Sequence, residues 1–198
     1  LRKAIAYLLG LIILACGIAL VIRADIGAGA WDALNVGLSR KVGLSIGSWV
    51  ILVGIIVMLL NSLLLGERPD FASILTVLII GPLVDAWMWL IHVHPPTFSW
   101  KLALFAMGMT VIAIGLAVYL QANFAPTPVD KLMYAISLRT GLSLRASKTV
   151  GELAALLLAW LTGGPIGLGT LLITFGIGPL LQFFLSRVEP LFARKPNA

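Results

Sequence analysis

"DIGAGAWDALNVGLSRKVGLS", residues 25–45, is a polar interruption in a very apolar chain, and "NFAPTPVDKLMYAISLRTGLS", residues 123–143, repeats its plan 98 positions later. Laying residue n over residue n + 98 places Gly10 on Gly108, Gly17 on Gly115, Ala19 on Ala117 and Ala24 on Ala122. The same offset places Asp32 on Asp130, Ser39 on Ser137 and Gly43-Leu44-Ser45 on Gly141-Leu142-Ser143. A deletion near residue 165 changes the offset to 97, after which "IGPL" at 80–83 falls on "IGPL" at 177–180 and Asp85 falls on Gln182. Matches at a constant offset across three elements identify an internal repeat, with halves 1–96 and 97–198 forming one membrane domain.

The rest of the composition says where such a repeat sits. Of 198 residues, 60% are hydrophobic and only 11% charged, with a mean hydropathy of +1.06. A soluble domain carries far more polar surface. Apolar runs at roughly 4–22, 46–65, 72–93, 102–121, 147–163 and 167–186 each approach the ~20 residues that cross a ~30 Å hydrocarbon core. Six spans are expected, the fifth being the least apolar because Lys148 and Glu152 stand near its start. The first run has no small-residue cleavage pattern after it, so no cleavable leader is expected. Cys16 is the single cysteine, which excludes a disulfide framework.

Three spans per half is an odd number, so the second half enters the membrane from the side opposite to the first. The expected fold class is therefore an all-α polytopic membrane protein: six transmembrane helices as a 3+3 inverted repeat, the arrangement of many secondary transporters. Lysine and arginine counts orient it. Arg2, Lys3, Arg68, Lys131, Arg139, Arg145, Lys148, Arg187, Arg194 and Lys195 fall on one side, and Arg23, Arg40, Lys41 and Lys101 on the other. The positive-inside rule then puts both termini in the cytoplasm. The formal charge of +6 is accounted for by these helix-end cations, which anchor the chain to membrane lipids; no basic patch interleaved with aromatics points to nucleic acid.

The repeated segment predicts a short helix in each half. About 12 residues reach only ~18 Å, too short to cross alone. Thr127, Pro128 and Asp130 fit N-cap, N1 and N3, and Asp32 takes the N3 place behind the looser "GAGA". Gly43 and Gly141 fit helix ends, and Ser45 and Ser143 fit caps of the helices that follow. Asp32, Asn35 and Ser39 share one face opposite Trp31, Leu34 and Leu38, a pattern that suits either a re-entrant half-helix or one lying in the interface. Gly27, Gly29, Pro126 and Pro128 break the chain before these helices, and Pro82 and Pro179 bend spans, so these positions are the candidate gates.

Asp85, after Pro82 and near the middle of the third span, is expensive in lipid and needs a cavity, a partner or water. It carries a coupling proton, binds substrate or an internal cation, or serves as a hydrogen-bond hub. Its counterpart Gln182 is neutral. Glu152 pairs with Lys148 at i,i+4, and Asn61 and Ser62 are expected to hydrogen-bond across helices. His92 and His94 alternate without an acidic or cysteine partner nearby, so no metal site is read there. "GGPIGLG" at 163–169 lacks the lysine and flanking strand of a phosphate loop. No Ser-His-Asp set, CxxC or HExxH occurs, so neither an enzyme nor a cofactor is expected, and no residue is assigned as catalytic.

"GIALVIRADIGAGAWDALNVGLSRKVGLSIG" at 17–47 and "IIGPLVDAWMWL" at 79–90 resemble the YczE/YyaS/YitT group of small bacterial integral membrane proteins. The first segment resembles the group's pattern of helix end, small-residue turn, Trp-Asp and Gly-Leu-Ser, and the likeness covers nearly the whole chain. The second half departs from it with Val129-Asp130 behind Pro126-Thr127-Pro128. The resemblance implies a multi-pass protein of about six spans in the bacterial cytoplasmic membrane, with a permease-like role and no defined substrate. The expected function is a secondary transporter or permease for a small solute; the alternative is a membrane component that scaffolds or regulates a partner complex. Candidate contacts for the solute or a coupling ion are Asp85, Asp32, Asp130, Asn35, Asn123, Gln182 and Trp31. The expected partners are lipids, the solute, and a second copy or another membrane protein.

Overall fold

The computed structural model describes residues 2–122, 124 and 126–192. They form eight helices in the order α1 (Arg2–Ala24), α2 (Ala30–Val42), α3 (Ile46–Leu65), α4 (Phe71–Leu90), α5 (Phe98–Gln121), α6 (Pro128–Thr140), α7 (Leu144–Thr162) and α8 (Leu168–Phe192). The two short helices, α2 and α6, are the repeated segment. Among the described residues, α1, α3, α4, α5 and α8 are long and apolar enough to cross a membrane. Leu63, Trp89 and Phe175 are each at least 75% exposed, as suits side chains facing lipid rather than water. The chain is an all-α, multi-pass membrane protein.

The fifth expected span, 147–163, corresponds to α7 and is the least apolar of the long helices. At 19 residues α7 is about 28 Å long, but Arg145, Lys148 and Glu152 in its first half leave it outside the five apolar spans. The third span is also shorter than expected. It ends at Leu90, and His92 and His94 lie beyond it, in the stretch that leads to Pro95 and Pro96. Asp85 accordingly sits in the last third of α4 rather than at its middle. Pro82 and Pro179 interrupt neither helix, which run on as α4 and α8.

The repeated punctuation makes the same hydrogen bonds in both halves. Gly43 and Gly141 end the short helices at φ +95° and +76°, a region that favours glycine. Their N–H groups donate to the carbonyls of Ser39 and Ser137. The hydroxyls of those serines donate to the carbonyls of Leu44 (2.8 Å) and Leu142 (2.7 Å). Ser45 and Ser143 then cap α3 and α7 by accepting from the N–H groups of Ser48 and Ala146. Each residue of the repeated Gly-Leu-Ser thus has a hydrogen-bonding or conformational task.

The core is the crossing of α1 and α5. A methyl on Gly10 would meet the backbone nitrogen of Tyr119 at 2.5 Å, and one on Gly17 would meet that of Ile112 at 2.5 Å. Lower residue numbers on α1 face higher ones on α5, so the two helices run antiparallel. The repeat partners close the same seam from the other side: Gly115 lies on Leu14 and Gly10, and Gly108 lies on Val21 and Leu20. Around this crossing the packing comes in matching pairs. α1 packs on α4 and α5 on α8; α2 packs on α7 and α6 on α3; α2 packs on α3 and α6 on α7.

The largest contact without a match is α3 along α4; α7 and α8 have no comparable contact. The sequence explains it. Gly47 and Gly54 let α3 approach Gly81 and Val77 of α4. At the repeat positions α7 carries Arg145 and Glu152, and the counterpart of Gly81, Gly178, has open space where a side chain would stand.

Candidate functional site

The two short helices begin at one shared cavity. It encloses about 290 Å³ and is lined by Trp31 and Asp32 from α2 and by Val129 and Asp130 from α6. These are the same two positions of the repeated sequence, 98 residues apart. Leu116 of α5 forms an apolar part of its wall, and Ser147, Lys148 and Glu152 of α7 add a polar one. Asp130 and Lys148 are exposed, Asp32 is half-buried, and Ser147 is fully buried. The cavity therefore opens at its α6 end and deepens toward α2.

Its polar groups differ in how far their hydrogen bonds are spent. Asp130 is committed: the Thr127 hydroxyl donates to its carboxylate at 2.7 Å, and Thr127 accepts from the Asp130 N–H at 3.1 Å. That is the expected capping arrangement, with Pro128 at N1 where a missing N–H costs nothing. Asp32 also occupies N3, but its N-cap is Gly29, which has no side chain to complete a cap. No hydrogen bond to the Asp32 carboxylate occurs among the described residues. Lys148 and Glu152 approach to 3.8 Å, a loose i,i+4 pair, and the buried Ser147 hydroxyl has no partner among the described residues.

The surrounding structure holds α6 in place. Asn61 of α3 donates to the carbonyl of Pro128 at 2.8 Å, the interhelical bond expected of it. Lys131 reaches Asp70, the N-cap of α4, at 3.0 Å. The hydrogen bond from Lys131 is the main cause that holds the Asp70 carboxyl below the usual carboxylate range, outweighing partial burial; the charge of Lys131 and the N–H groups of Ala72 and Ser73 act in the same direction.

Three of the sequence-predicted contacts, Asp32, Asp130 and Trp31, therefore come together, and the others do not. Asp85 is engaged at the start of α3, where it accepts from the Gly47 N–H at 2.7 Å and from the Ser45 hydroxyl. It acts there as a hydrogen-bond hub at an α-helix N-terminus, away from the cavity. Asn35 is buried inside α2, and its side-chain oxygen lacks a partner among the described residues. The face it was expected to share with Asp32 and Ser39 is closed at its middle, where Ala33 through Gly37 are all buried, while Asp32 and Ser39 at its two ends line separate cavities. Gln182 is exposed on α8. Asn123 lies outside the described residues.

Among the expected breaks, Gly27 has φ +117° and packs against Gly167 and Thr170, so a glycine is needed there. Gly29 has an ordinary negative φ. Pro126 precedes the Thr127 cap, and Pro128 starts α6. Lys148, Glu152 and Ser147 were missed as site residues. Their i,i+4 spacing accounted for the first two locally, and only the packing of α6 on α7 shows that they face Asp130.

The chain matches, over residues 1–186, the model of a family described as "Family of unknown function (DUF6198)". It belongs to that family. It is 36% identical over 195 residues to the "Uncharacterized protein YyaS" of Bacillus subtilis (strain 168), covering 98% of this chain and 97% of that protein. It is 33% identical over 180 residues to the "Uncharacterized membrane protein YczE" of the same organism, covering 90% and 83%. A Haemophilus influenzae protein is 31% identical over 197 residues, covering 98% and 87%. No solved structure matches the chain. The resemblance read from residues 17–47 and 79–90 thus holds across nearly the whole chain, and the protein is a small, multi-pass bacterial membrane protein of the YyaS/YczE kind.

Proposed function

We propose that this protein is a small secondary transporter or permease of the bacterial cytoplasmic membrane, which moves a small solute through the cavity between two inverted three-span halves. The observation that carries the reading is the lining of that cavity by Trp31-Asp32 and Val129-Asp130, equivalent positions of the two repeats. In inverted-repeat transporters the substrate lies at the repeat interface, at the ends of broken or short helices. The antiparallel α1–α5 crossing and the paired packing of the remaining helices support two halves of opposite orientation. α7 is then the fifth of six spans, its charged half turned to the cavity and to the cytoplasmic face, with both termini cytoplasmic.

In this mechanism Asp32, with its hydrogen-bonding capacity unspent, is the group that meets the solute or a coupling proton. Asp130 and Lys148 form the mouth open in this structure. Exchange of roles between α2 and α6 opens the other side. No catalytic step is assigned, and the energy comes from an ion gradient, the solute's own gradient or a partner ATPase.

The test is a proteoliposome flux screen, its solutes chosen from growth phenotypes of a deletion strain. Asp32→Asn should lower flux at least tenfold with near-normal protein abundance. Wild-type flux in that variant would remove Asp32 from the path. A second reading, a membrane component that stabilises or regulates a partner complex, is favoured by Asp85, whose carboxylate is spent on the start of α3. A purified protein with no flux for any solute that rescues the deletion strain would favour it.

A further inference from the structure

The helix order places Arg23, Arg40, Lys41 and Lys101 at the same end of the molecule. Three of these four cations line one pocket of about 370 Å³, formed by the ends of α1, α2 and α4 and the starts of α3 and α5. We propose that this pocket is an anion site that binds a phosphate or carboxylate group through Arg23, Arg40 and Lys101. The inference is independent of the transport reading.

Charge and unspent donors carry it. The only carboxylate lining the pocket is Asp25, which pairs with Lys101 at 2.8 Å. One negative charge against three positive ones leaves an excess of two. Arg40 has no partner among the described residues. One arm of Arg23 donates to the Met88 carbonyl at the end of α4, while its Nε is buried without a partner. Local roles explain part of this arrangement: Arg23 closes a helix end, and Arg40 suits the C-terminus of α2. They do not explain why cations from α1, α2 and α5, brought together from positions up to 78 residues apart, converge on one cavity. Lys41, the fourth, is turned away and donates to the Leu161 carbonyl at 3.0 Å.

An arginine fork and a lysine around a small cavity recognise oxyanions by charge-assisted hydrogen bonds. The oxyanion has two possible sources: the headgroup phosphate of an anionic lipid, since the exposed Trp89 and Trp100 stand near the same end, or a free anionic solute. Full-length protein in phosphatidylcholine nanodiscs separates them. Inorganic phosphate is titrated in one arm, phosphatidylglycerol is introduced into the bilayer in the other, and thermal unfolding is followed in both.

At least one probe should stabilise the wild type. Arg40→Gln should weaken that binding about tenfold, Arg40→Lys should retain most of it, and Lys41→Gln should leave it unchanged. A response to phosphate assigns a soluble ligand, and a response to phosphatidylglycerol alone assigns a lipid headgroup; either supports the site. No response to either probe overturns the proposal, as does an equal loss in Arg40→Gln and Lys41→Gln, which would mean diffuse charge only.

Discussion

Asp85 and Asp70 are both carboxylates at the start of a helix, one serving α3 and the other α4, and each makes a separate prediction. Asp85 accepts from the Gly47 N–H and the Ser45 hydroxyl, so Asp85→Ala leaves the Gly47 N–H at the α3 start without its acceptor, while the Ser45 hydroxyl keeps that of Ser48. The expected loss is about 1–2 kcal/mol, read as a lower unfolding temperature in detergent. Asp85→Asn, which still offers an oxygen, should lose less, and flux per folded molecule should stay near wild type in both. A collapse of flux at normal abundance would return Asp85 to the solute path. Asp70 gives a pH prediction. Its carboxyl is held below the ordinary range by Lys131, so the stability it contributes is present above the unfolded-state pKa. That contribution is lost as pH falls through the depressed folded-state value. Wild type should exceed Asp70→Asn in unfolding temperature at neutral pH by a small margin, the pair being partly exposed. The margin should close on acidification; a margin that grows instead would contradict the pairing.

Helix positions were legible in the sequence where the signal is local, and contacts were not legible where it is distant. The caps at Thr127, Ser45 and Ser143 and the helix ends at Gly43 and Gly141 depend on neighbours within a few residues, and the structure contains them all. The task of Asp85 depends on residues 38–40 positions away, and Lys148 faces Asp130 only because α6 folds back on α7. Single-chain spacing carries no record of either. The glycines at 10, 17, 108 and 115 are intermediate: a spacing of seven puts each pair on one face of its helix, but only the structure shows that the two pairs face each other across α1 and α5. That seam is the element on which the fold should be least tolerant. Gly17→Leu places a side chain against the Ile112 backbone, where even a methyl would stand at 2.5 Å. Overpacking of this kind costs roughly 1–3 kcal/mol or more, and the folded yield on size exclusion should fall sharply. Gly178→Leu, at a position with open space, should be tolerated, and equal damage from the two would mean that the seam is not special.

At the scale of the whole molecule the question is whether the two halves exchange roles, and the repeat itself supplies a paired probe. Trp31 and Val129 are equivalent positions that line one cavity, and its exposed end is at Asp130 and Lys148. Cys16 is the natural cysteine, so Cys16→Ser gives a clean background in which Trp31→Cys and Val129→Cys are placed one at a time. If the bundle holds a single shape, a membrane-impermeant thiol reagent reaches both positions from the α6 side alone. If the halves alternate, the symmetry of the repeat requires a second state in which α2 lines the mouth and α6 the depth. In that state Trp31→Cys becomes reachable from the opposite face, while Val129→Cys remains labelled mainly from its own. We therefore expect Trp31→Cys to react from both sides of right-side-out and inverted vesicles, at rates set by how often each opening is visited. Labelling confined to the α6 side would leave a cavity without a path, and the scaffold reading would then stand.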